Sequence, residues 1–97
     1  MALRISRKVR LKLAEKNPPV TEGEIEECFA NRNGEFLEDT REDHKTEPPT
    51  FWFIAETDYG RGLKVAFISR DDETTIRTAY DPNEDEIRIY KKYGIRS

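Results

Sequence analysis

One cysteine, one histidine and no apolar run of membrane length set the first limits on this chain of 97 residues. A lone Cys28 excludes an intrachain disulfide framework and a zinc site built from several cysteines. No stretch approaches the ~18 apolar residues of a membrane span. The opening Met1-Ala2-Leu3-Arg4 lacks the apolar run of a signal peptide, so the expected setting is cytoplasmic, with no membrane partner. Apolar residues are also scarce, at 35% against 38% charged, so the core must come from a few dense runs. Aromatics at 10% keep the chain out of the disordered class. The length allows a single domain over residues 1–97.

Charge is sorted along the chain. Residues 1–16 hold six Lys/Arg and one acid, a balance of +5; the net charge of −3 then leaves −8 for the rest. Residues 21–47 carry ten acids and three bases. A basic arm on an acidic body can meet an anionic partner on one face only.

Ser6 can cap a helix over residues 7–16, with Val9 and Leu13 four apart and Arg7, Lys8, Arg10 and Lys12 on its outer surface. Asn17-Pro18-Pro19 stops it. Thr21-x-x-Glu24 is a capping box for a second helix to Asn31, striped with Ile25, Cys28 and Phe29. Cys28 is then a core residue. A short strand is expected at 35–40, and "TREDHKTEPP" reads as a loop.

"TFWFIAET", residues 50–57, is apolar on both faces and suits a strand covered on both sides. The turn Asp58-Tyr59-Gly60-Arg61-Gly62 leads to residues 63–69, where Leu63, Val65 and Phe67 share a face. Residues 74–80 follow, with Ile76, Thr78 and Tyr80 set against Thr75, Arg77 and Ala79. Residues 82–93 read as a helix with Asp81 as cap, Pro82 in its first position and Gly94 as stop. The expected fold is α+β: two N-terminal helices on a four-stranded antiparallel sheet, then a C-terminal helix.

The last of these stretches carries a resemblance. Ala79 precedes Glu86 by seven residues, Tyr90 follows Glu86 by four, and residues 17–34 form a short loop and second helix. In these features and in element order the chain resembles BrnT toxins, relatives of the RelE ribonucleases. It departs in having Tyr80 where that family has an arginine, in the long acidic insertion before Thr50, and in a pI near 5.3. The resemblance implies metal-independent RNA cleavage held in check by an antitoxin, with no cofactor. Glu86 would be the base, Tyr90 an acid or a stacking group, and Arg77 or Arg88 the phosphate clamp. The basic face formed by Arg7, Lys8, Arg10 and Lys12 suits contacts to an RNA backbone and equally the docking of an acidic antitoxin.

Two other functions fit the residues. A non-catalytic protein-interaction module could use the same fold, its acidic surface replacing one for RNA. A small hydrolase could centre on His44, which titrates near neutral pH and has Asp39 and Asp43 close in sequence; no spacing there defines a metal site. Trp52 reads as core or as a stacking platform for a base, and Gly60-Arg61-Gly62 as a hairpin turn or a phosphate approach.

Overall fold

The computed structural model describes residues 2–40 and 48–95. It is an α+β fold of three helices and a five-stranded mixed sheet. In chain order the elements are β1 (Ala2–Arg4), α1 (Arg7–Ala14), α2 (Glu22–Asn31), β2 (Leu37–Glu38), β3 (Thr50–Glu56), β4 (Gly62–Arg70), β5 (Glu73–Tyr80) and α3 (Glu84–Tyr93). The sheet order is β1-β5-β4-β3-β2.

Local chemistry sets the helix ends. Ser6 accepts from the Val9 amide, and Thr21 and Glu24 close their capping box. The start of α3 differs from the expected one. Asn83 is the cap and closes a reciprocal box with Glu86, leaving Pro82 outside the helix. The Asp81 carboxylate is engaged elsewhere, by Arg61 at 3.1 Å, whereas Asn-x-x-Glu satisfies two free amides at once. Gly94 ends the helix as expected.

The sheet differs from the expected four antiparallel strands. Residues 2–4 form β1, which runs parallel to β5 with Leu3 opposite Thr74. Three residues are too few to show an alternating pattern, and their partner lies some seventy positions away. The first expected strand shortens to Leu37–Glu38.

The expected alternation in β5 also breaks. Pairing passes from Ala66–Thr78 to Phe67–Ile76, so Arg77 is an extra residue in a β-bulge. The bulge shifts the side-chain phase by one position, which puts Ile76 and Ala79, not Ile76 and Thr78, in the core.

Both faces of β3 are covered. Phe53 meets Phe29 of α2 at 4.7 Å between ring centroids, and Trp52 meets Tyr90 of α3 at 5.7 Å. Helices α1 and α2 thus lie over the face that carries Phe53, Val65, Phe67 and Ile76, and α3 lies over the opposite face. The Cys28 thiol is fully buried in the first layer and donates to the Ala55 carbonyl at 3.6 Å. Burial, with Glu24 and Glu27 nearby, raises its pKa to about 12, so it is no nucleophile at neutral pH.

Arg61 ties the β3–β4 hairpin to the loop after α1. It donates to the carbonyls of Pro18 and Pro19 and meets the carboxylates of Glu24 and Asp81. Gly60 takes a positive φ of 88° in the turn. The Gly60-Arg61-Gly62 segment is therefore a hairpin whose arginine is already engaged by its own chain.

Candidate functional site

A cleft of about 490 Å³ opens between α3 and the β2 edge of the sheet. Helix α3 contributes Glu86, Ile89 and Tyr93, which recur at the i, i+3, i+7 spacing of one helix face. The sheet contributes Leu37, Trp52 and Lys64. Glu38, Asp39 and Thr40 complete the wall.

Lys64 and Glu86 of the titratable cluster line this cleft, and Tyr80 joins them from the neighbouring strand. Lys64 and Tyr80 are direct cross-strand partners on β4 and β5. The Lys64 ammonium donates to Glu86 Oε2 at 2.8 Å, and the Tyr80 hydroxyl donates to the same oxygen at 2.5 Å. Glu86 Oε1 accepts from the Asn83 amide at 3.0 Å. A carboxylate offers about four acceptor positions, so three bonds leave roughly one open.

The side chains of Lys64 and Glu86 are only 9% and 16% exposed. The ammonium also lies 4.5 Å from the Trp52 ring centroid and 5.6 Å from that of Tyr80. Such a cation over a shielded aromatic face adds up to ~2 kcal/mol. A larger hollow of 740 Å³ flanks α3 on its other side, but its Asp58 is held by Asn31 and it contains no comparable cluster.

Burial pushes the Glu86 pKa up, but the hydrogen bonds from Lys64, Tyr80 and Asn83 and the Lys64 charge outweigh it. The net shift is downward from the ordinary 4.5. Glu86 is therefore ionised at neutral pH, though a weaker proton acceptor than a free carboxylate. Its stabilising contribution is present above pH 4.5 and is lost as pH falls through the lower folded value. Urea unfolding at a series of acidic pH values should show native stability dropping there, and a Glu86→Gln chain should lose that component of the slope.

Tyr90 is not part of this cluster. It is 2% exposed, and its hydroxyl donates to the Glu35 carbonyl at 2.8 Å. Burial raises its pKa above 10.0; Arg32 and the Ile54 amide work against this and Glu35 adds to it. Its ring is pressed against Gly34 and Gly94, where a Cβ would collide with it. Tyr90 is a packing residue that joins α3, the Glu35 backbone and the sheet, and its phenol is far from free to donate a proton.

The other expected residues are dispersed. Arg77 is exposed at the bulge, and Arg88 is exposed and paired with Asp85 at 2.7 Å. Arg7, Lys8, Arg10 and Lys12 are exposed on α1, across the sheet from the cleft, and Arg10 is paired with Glu22. His44 and Asp43 lie outside the described residues. Among the described residues no group of acids, Cys and His could hold a metal ion, and no helix is long and apolar enough to cross a membrane.

Sequence reasoning missed Lys64 and Tyr80. The available signal was an unpaired lysine inside the apolar run "LKVAFIS". A charge at that place needs a buried partner.

No family model, curated protein or solved structure matches the chain. The likeness to BrnT and RelE proteins rests on its own residues alone.

Proposed function

We propose that the cleft is a metal-independent RNA-cleaving site of the RelE/BrnT type, and that the chain is a small endoribonuclease restrained by an antitoxin. The observation that carries this reading is the contact of Lys64, Glu86 and Tyr80, the first two of which line an open cleft. Cleavage needs a proton acceptor, a proton donor and a cation, and those three types meet at this point. The reacting set differs from the expected one: Lys64 takes the place of Arg77 or Arg88, and Tyr80 that of Tyr90.

In this scheme Glu86 takes the proton of a 2′-hydroxyl as its oxygen attacks phosphorus. Lys64 offsets the charge gathering on the phosphoryl oxygens. Tyr80 gives its proton to the departing 5′-oxygen, so the P–O5′ bond breaks and a 2′,3′-cyclic phosphate forms. The hydrogen bond between Glu86 and Tyr80 then returns the proton from the carboxyl to the phenolate, which restores both groups.

Tyr80→Phe removes the donor and keeps the ring. It is expected to slow cleavage of single-stranded RNA about a hundredfold while leaving the fold intact. Glu86→Gln preserves the helix cap and should abolish cleavage. Induced expression of the native chain should arrest growth and degrade bulk RNA, and Tyr80→Phe should relieve both.

One feature favours a second reading, the protein-interaction module. Glu86 matches the Lys64 charge and the cleft wall adds the acids Glu38 and Asp39, while α1 holds its cations on the far face. A folded native chain that leaves RNA intact would sink the ribonuclease reading and leave this one in front.

A further inference from the structure

We infer that Tyr93, with Lys92 beside it, is the platform on which a nucleobase near the cleaved bond stacks; this rests on the ribonuclease reading. The aromatic residues near the cluster are not equally available. Trp52 is buried, with Lys64 over its ring and Tyr90 against it. Tyr80 is half-buried and does not line the cleft. Tyr59 is exposed on a hairpin tip and does not line the cleft.

Tyr93 does line the cleft, and it is 61% exposed. It stands seven residues after Glu86, so two helical turns, about 10 Å along the axis, separate them on one face. Ile89 fills the ridge between them and gives an apolar edge. The Lys92 ammonium lies 5.3 Å from the Tyr93 ring centroid, and among the described residues neither Lys91 nor Lys92 pairs with an acid. An exposed ring beside a free cation fits a base and its phosphate. Glu84 and Asp85 make the first turn around Glu86 acidic, so a further phosphate contact along α3 falls to its basic last turn.

The test uses the full chain and short single-stranded oligoribonucleotides. Tyr93→Ala should raise KM about tenfold with little change in kcat, because stacking holds the strand without touching the reacting atoms. Tyr93→Phe should restore native KM, since the ring and not the hydroxyl is used. Abasic substitutions placed one at a time along the oligonucleotide should raise the native KM most at one position. At that position the Tyr93→Ala chain should be indifferent. Cleavage with an unchanged KM in Tyr93→Ala would overturn the inference and leave the ribonuclease reading standing. Absence of cleavage by the native chain would overturn both.

Discussion

Replacing Glu86 by alanine is expected to lower stability by about 3–5 kcal/mol, the usual cost of stranding one member of a shielded ion pair. Lys64 would be left with its side chain only 9% exposed and its main partner gone. Helix α3 would also lose half of its capping box, since Glu86 accepts from the Asn83 amide. The measurement is urea unfolding, with a lower midpoint at unchanged slope. The corresponding double change, Lys64→Met with Glu86→Gln, should recover most of the loss. It removes both charges together, keeps a glutamine able to cap, and fills the space over Trp52 with an apolar chain. A double variant as unstable as the alanine chain would show that the ion pair itself, not the stranded charge, carries the stability. This stability experiment is separate from the cleavage test, so the network can be structurally important whether or not the site reacts with RNA.

Phe53→Ala should cost a comparable 3–5 kcal/mol through lost burial and the cavity left behind. Phe53 is completely buried on the α1/α2 side of β3. Phe29, Phe36 and Phe67 approach it edge-on, at 4.7, 5.4 and 6.1 Å between ring centroids. Three rings from α2, the segment before β2, and β4 cannot all close inward on one missing ring without moving their backbones. Thermal unfolding should show a clear fall in Tm. Phe53→Leu, which restores most of the volume, should recover more than half of it. Equal losses for the two variants would mean that ring geometry, rather than filled volume, governs this layer.

Much of the scaffold was legible because its signals are local. Thr21-x-x-Glu24 sets the start of α2, Ser6 that of α1, and the apolar run from Thr50 to Ala55 marks a strand shielded on both faces. Even the correction at α3 has a local sign, since Asn83-x-x-Glu86 is a capping box in plain sequence. The strand β1 was not legible, because three residues gain strand character only by pairing with distant Glu73–Thr75. The bulge at Arg77 was hidden for a related reason: its extra residue exists only relative to β4.

The candidate site divides in the same way. The sequence by itself determined the helix that carries Glu86, Ile89, Tyr90 and Tyr93, because its acidic start, basic end and glycine stop are all read within one segment. It also pointed to Tyr90 as Glu86's neighbour, four residues on. Tertiary structure decided that Tyr90 turns into the core and that Glu86 instead meets Lys64 and Tyr80 from two strands. Those two residues are sixteen positions apart, and only the β4–β5 register sets them side by side beneath α3. Helical spacing is a property of one segment, but a buried charge must find its partner wherever the packed chain brings one within reach.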